Sequence, residues 1–172
     1  MALSIDPEHI CPFEKAHDSK SFVCGNEDPN RYLRQQARQD AEKRVAAPFV
    51  LTQPGSMAVL GFYTLSSSLI SVEELPPNLM KRLPRYGQLS VTLLGRLAVD
   101  RTVGGQGVGE FLLVDALRRR LEAAYQIAAM AVIVDAKDKR AESFYRHFDF
   151  QPFQKMPLRL FLPMGQIAKL FE

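Results

Sequence analysis

The 172-residue sequence predicts an α+β domain. Three observations carry that reading. Phe49-Val50-Leu51-Thr52 and Ala58–Leu65 flank a Gln53-Pro54-Gly55-Ser56 turn, the pattern of antiparallel strands. A second apolar run ending at Asp100 passes through a glycine-dense turn directly into a helical pattern, in which Leu112, Leu113, Ala116, Leu117 and Leu121 recur at three- and four-residue steps. Ala128–Ala136 is a short apolar run rich in β-branched residues, as expected of a strand buried on both faces.

Taken in order, residues 1–25 read as an irregular opening with Phe13, Phe22 and Val23. Asn26–Asn30 is a cluster of helix-start residues, and a helix is expected from about Asn30 to Val45, closed by Pro48. Arg31, Arg34 and Arg38 stand at i, i+3 and i+7 of that helix, hence on one stripe. Such a stripe is either a solvated face or a patch that tracks phosphates. Ser66–Ile70 extends the antiparallel sheet. Residues 73–87 carry three prolines and are expected to form a loop with one helical turn; Lys81, Arg82 and Arg85 form a second basic cluster there. After the central strand, turn and helix come the buried strand and a helix capped by Asp138. Met156–Phe161 reads as a last strand and Gly165–Phe171 as a terminal helix.

Hydrophobic residues make up 47% of the chain and charged residues 24%, a globular balance sized for one domain over residues 1–172. No apolar run reaches the length of a membrane span. The first residues lack the basic head and apolar core of a secretory signal, so a cytoplasmic protein is expected. Two cysteines and three scattered histidines offer neither a disulfide framework nor a metal constellation. The net charge of +3 is only mildly basic.

The turn after Asp100 carries the chemistry. Gly104, Gly105, Gly107 and Gly109 leave it nearly free of side chains where a helix begins. Its amides and the helix dipole can therefore meet an anion. A P-loop would need Lys-Ser/Thr where Glu110-Phe111 stand, and a dinucleotide fingerprint would need glycine at Glu110. A tight glycine connection with no ligand remains the bland reading.

Gly104-Gly105-Gln106-Gly107-Val108-Gly109, after Leu97-Ala98-Val99, resembles the acetyl-CoA pyrophosphate loop of the GNAT N-acetyltransferases. Gly104 departs from the Gln or Arg usual at the first position. Asp138, Ala141 and Tyr145 match the Asn-x-x-Ala-x-x-x-Tyr that GNAT enzymes often carry, with Asp for Asn, and Asp149-Phe150 replaces their Gly-Phe. The resemblance implies a mixed central sheet with helices on both faces and a splayed parallel strand pair holding acetyl-CoA. It implies main-chain contacts to the thioester and pantetheine at Leu97, Ala98 and Val99, and pyrophosphate contacts at 104–109. Tyr145 would be the general acid that protonates the departing thiolate, a phenol being protonated at neutral pH. The competing reading packs Tyr145 as core beside Phe144 and Phe148.

Phe22-Val23-Cys24-Gly25, Tyr32–Ala37, Gly61–Leu65, Leu94–Asp100 and Leu160–Met164 further resemble the GNAT toxins of bacterial toxin–antitoxin pairs. That likeness implies acetylation of the α-amine of aminoacyl-tRNA, a homodimer and a small ribbon-helix-helix antitoxin. Arg31, Arg34, Arg38, Lys81, Arg82 and Arg85 would then contact tRNA phosphates. Arg96 would reach the substrate terminus or pair with an acidic neighbour. Transfer to a small amine or a protein amine, and a non-catalytic acyl-CoA-binding module, are the alternatives.

Overall fold

The computed structural model describes residues 6–84 and 87–172. Seven strands hydrogen-bond in the order β1-β2-β3-β4-β5-β7-β6. They are β1 (Ile10–Pro12), β2 (Ala47–Leu51), β3 (Gly61–Ser71), β4 (Gln88–Val99), β5 (Ala131–Asp135), β6 (Gln151–Pro152) and β7 (Arg159–Pro163). The helices are α1 (Glu27–Gln35), α2 (Ala37–Glu42), α3 (Pro77–Met80), α4 (Val108–Ala123), α5 (Lys139–His147) and α6 (Met164–Leu170). The β4–β5 ladder is parallel, whereas β1–β2, β2–β3, β5–β7 and β6–β7 are antiparallel. The expected α+β class with a mixed sheet is the one observed.

The chain forms two compact units, Met1–Ser66 with Gly95–Ala116, and Ser67–Leu94 with Leu117–Glu172. The division falls within β3, β4 and α4. In the first unit Phe22, Tyr32, Leu33, Ala37, Val50 and Phe62 share one buried cluster. In the second, Ile70, Leu75, Val91, Ile133, Phe153 and Phe161 share another. Each draws its large side chains from several elements, so burial rather than local propensity holds the strands together.

Local chemistry sets most boundaries. The first helix starts earlier than expected because the Asn26 side chain accepts the Asp28 N–H at 3.1 Å. It is also two helices, not one. Gln36 sits at φ −122° and ψ −33° between them, and the Gln36 amide and Tyr32 hydroxyl both hold Asp40, at 2.8 and 2.9 Å. The helical stretch ends at Arg44, whose φ of 57° is left-handed, not at Pro48, which lies inside β2 paired with Thr64. Within residues 73–87 the expected helical turn is α3, which has proline at its first position. β1 and β6 are too short to show a period and escaped the sequence reading. β7 and α6 lie within three residues of expectation.

The end of α5 answers the question raised by Asp149. The residue takes φ 70°, the left-handed geometry that glycine supplies in the related motif, and its N–H donates to Arg146 O at 3.0 Å. Phe150 N–H donates back to Tyr145 O at 3.3 Å. The helix therefore stops as it would with glycine, at the cost of seating a Cβ in a disfavoured region. Asp149→Gly should raise unfolding stability by about 0.5–1 kcal/mol, read from urea denaturation midpoints. An unchanged or lowered midpoint would mean that the aspartate side chain holds the turn.

Candidate functional site

In the first unit the site grows from the end of β4. Asp100 is buried, and its carboxylate accepts the Val23 N–H at 2.8 Å, the Thr102 N–H at 3.1 Å and the Thr102 hydroxyl at 2.6 Å. Desolvation pushes its pKa up, but the hydrogen bonds from Thr102 and Val23 outweigh it and hold the carboxyl below the usual range. Two backbone bonds, Asp100 N–H to Leu60 O and Arg101 N–H to Val23 O, both 2.8 Å, complete the anchor. Asp100 caps one turn of 3₁₀ helix at Arg101–Val103, from which the glycine turn departs. This positioning role was missed in the sequence, where Asp100 reads only as the end of a strand.

The turn itself has the shape of an anion cradle. Gly105 and Gly107 adopt φ 73° and 77°, and a Cβ at either would meet nothing within 4 Å. Open space thus faces the backbone where positive φ demands glycine. Gly104 is different. Its φ is −62°, and a Cβ would lie 3.6 Å from Arg101 O, an ordinary contact. A Cβ would therefore fit there, so the backbone path at Gly104 does not require glycine. Gln106 is exposed and Val108 buried at the first position of α4. Leu112, Leu113, Ala116 and Leu117 form the buried face of that helix, as their spacing predicts, while Leu121 is only partly covered. The arrangement suits a pyrophosphate approached by main-chain N–H groups at a helix N-terminus.

Just before the turn, Leu97, Ala98 and Val99 close β4, with Ala98 buried. The parallel ladder to β5 joins Thr92–Leu94 to Val132–Val134, and β4 runs on past it to Val99. Thr64 donates no room at Gly95, where a Cβ would sit 2.9 Å from its hydroxyl. That close approach lets the Thr64 hydroxyl accept the Arg96 N–H at 3.1 Å, a side-chain partner in the middle of a strand.

In the second unit Tyr145 projects from α5, which Asp138 caps by accepting the Ala141 N–H at 2.8 Å. Asp138 therefore serves the helix; its carboxylate oxygen is engaged there. Tyr145 is buried and edge-on to Phe144 and Phe150, at 5.2 and 5.5 Å between ring centres. Its hydroxyl has no hydrogen-bond partner among the described residues, and burial pushes its pKa up to about 12. The packing reading and the acid reading are thus compatible: the ring is core, and the hydroxyl is left with its proton.

The basic clusters separate on inspection. Arg31 pairs with Asp28 at 3.9 Å, Arg34 with Glu27, and Arg38 with Glu42 at 3.0 Å. Arg38 lies beyond the break at Gln36, so the three do not form one stripe of bare charge. Lys81 and Arg82 are exposed at the end of α3, and Arg85 lies outside the described residues. Arg96 has no carboxylate partner among the described residues. Its guanidinium stacks 3.7 Å from the centre of the Tyr32 ring, on a cavity of about 200 Å³ shared with Gln35 and Gln36. Of the two expectations for Arg96, the acidic neighbour is not what it meets.

No protein-family model matches the chain. A tRNA-acetylating toxin of Mycobacterium tuberculosis (strain ATCC 25618 / H37Rv) is 37% identical over 155 residues, covering 90% of this chain and 91% of the relative. A probable toxin TacT of Sinorhizobium fredii (strain NBRC 101917 / NGR234) is 30% identical over 161 residues, covering 90% and 89%. Among solved structures, AtaT complexed with acetyl-methionyl-tRNAfMet superposes with a TM-score of 0.88 at 28% identity, over 95% of this chain and 98% of that one. AtaTR bound with acetyl-CoA gives 0.84 at 28% identity, over 95% and 97%.

The two kinds of glycine in the turn should separate by substitution. Gly104→Ala should leave acetyl-CoA affinity within about twofold. Gly107→Ala, forced toward a backbone costing about 1–2 kcal/mol, should weaken it by roughly tenfold or more. Isothermal titration checks both, and equal effects would mean that the turn does not hold the ligand through its main chain.

Proposed function

This chain belongs to the tRNA-acetylating toxins of the GNAT acetyltransferases, and from that premise we infer the roles of its residues. The enzyme transfers acetyl from acetyl-CoA to the α-amine of an aminoacyl-tRNA, which blocks translation by removing the amine that peptide-bond formation needs. An antitoxin restrains it, as in the solved complexes of its relatives. We place it in the cytoplasm, where charged tRNA is found; no helix among the described residues is long and apolar enough to cross a membrane.

The observation that carries the catalytic assignment is the buried, unpartnered phenol of Tyr145. Acetyl-CoA, when bound, supplies an activated thioester. Main-chain groups of 104–109 hold its pyrophosphate, and those of Leu97, Ala98 and Val99 orient the thioester and pantetheine. An α-amine has a reference pKa of about 7.7–8.0, so no dedicated base is required. The sulfur must gain a proton while the nitrogen loses one. Tyr145 donates to the sulfur and regains its proton from the nitrogen through water. Against a reference thiol pKa of about 8.5, complete transfer from a phenol near 12 is uphill by about 5 kcal/mol. Tyr145 therefore shares its proton in the transition state, and any phenolate is quenched at once. Help of this kind is worth about 10²–10⁴-fold.

Arg31, Arg34, Arg38, Lys81 and Arg82 serve tRNA phosphates, the first three by exchanging a carboxylate for a phosphate. Exposed ion pairs are worth only about 0–1 kcal/mol each, so the exchange is cheap. Arg96, stacked on Tyr32 and free of acid, faces the substrate terminus.

Labelled acetyl-CoA with total charged tRNA tests the reaction. Tyr145→Phe should keep acetyl-CoA affinity within about twofold and lower kcat by about 10²-fold or more; undiminished turnover would remove Tyr145 from the chemistry. The pH profile tests it independently. The neutral amine is gained as pH rises through about 8, and the protonated phenol is lost only as pH rises through about 12. With an amide-linked aminoacyl-tRNA analogue, kcat/KM should climb to a plateau near pH 9 and stay flat to about 10.5. A fall centred near 9.5 would assign the acid to another group.

A further inference from the structure

A cavity of about 360 Å³ opens in the second unit beside the C-terminal end of α4. Ser67 and Ser68 of β3, Ser90 and Thr92 of β4, and Gln126 are among its lining residues. Arg120 is the only charged side chain on that lining. Its Nε is sealed from solvent with no acceptor among the described residues. Burial without a counter-ion lowers its pKa, but a guanidinium stays charged at physiological pH. The structure thus carries a standing desolvation cost that an incoming anion would relieve. Serine, threonine and glutamine on the same lining are residue types that can donate to the anion's remaining lone pairs.

The rim narrows the occupant. Leu69 is 56% exposed and Ile127 76%, and both line the cavity; Tyr125, on the same turn after α4, is 87% exposed. A bare phosphate or acetate would satisfy Arg120 and leave these side chains in water. A nucleic-acid backbone calls for several cations, and the lining offers one. A peptide segment with a carboxylate between apolar side chains covers both features, with the half-buried arginine as an anchor beside apolar side chains. We propose that this cavity docks a protein partner through such a segment, its carboxylate held by Arg120 and its apolar neighbours by Leu69 and Ile127. The proposal does not rest on the acetylation reading.

Amide NMR of the full chain tests it, with a blocked pentapeptide of sequence ALELA as probe, its ALQLA counterpart, and sodium phosphate and sodium acetate as free anions. The ALELA peptide should shift amides of 67–69, 90–92 and 120–129. ALQLA should bind at least tenfold more weakly, as should ALELA to Arg120→Met. Should that variant fail to fold, Ile127→Asp, a change at an exposed position, should weaken ALELA comparably while leaving acetyl-CoA affinity unchanged. Absence of these shifts, or affinity indifferent to Arg120 and Ile127, overturns the proposal. Phosphate or acetate acting as strongly as ALELA would make it a free-anion site instead. If Ile127→Asp turned a sedimenting dimer into a monomer, the occupant would be a second copy and the proposed partner would fall.

Discussion

The proposed acetyl-CoA half of the site depends on one buried carboxylate. Asp100 takes three donors, from Val23 N–H, Thr102 N–H and the Thr102 hydroxyl, and its own N–H reaches Leu60 O. Through these bonds the end of β4, the opening segment before α1 and the glycine turn become one rigid corner. A carboxylate that accepts several N–H and O–H groups is worth more than neutral hydrogen bonds, and removing it would strand its donors. The main-chain path of 104–109, to which we assign pyrophosphate binding, starts from that corner.

The proposed acid is prepared by different means. Tyr145 owes its raised pKa to burial alone, with no neighbouring charge. Phe144 and Phe150 enclose its ring, Asp138 starts its helix, and Asp149 ends it in a left-handed turn. The same packing that makes the phenol a reluctant acid keeps it protonated at every pH where the enzyme could work. A high pKa suits the role proposed for Tyr145, which requires the phenol to keep its proton until it is needed.

The charge that we assign to the tRNA is arranged more economically than a count of arginines suggests. Three arginines of α1 and α2 are balanced by Asp28, Glu27 and Glu42, while Arg96 is held by the face of Tyr32. Paired surface arginines limit indiscriminate attraction to any polyanion, and stacking orients Arg96 without neutralising it.

Sequence alone determined the parts whose signal is local. The strand–glycine turn–helix unit, the buried face of α4, the capped helix bearing Tyr145 and the α+β class were all legible, because turn glycines, cap residues and 3.6-residue spacing act over a few positions. The resemblance of 104–109 and of Asp138–Tyr145 to the GNAT motifs supplied the cofactor and the acid. Tertiary structure decided what depends on residues far apart in the chain. It set Arg96 against Tyr32 and Asp100 against Val23, 64 and 77 positions away. It also sealed the Arg120 Nε without a hydrogen-bond partner among the described residues, on a cavity shared by β3, β4 and the turn after α4. Hydrogen bonds and ring contacts at such separations leave no period in the sequence, since only the folded sheet brings their partners within reach.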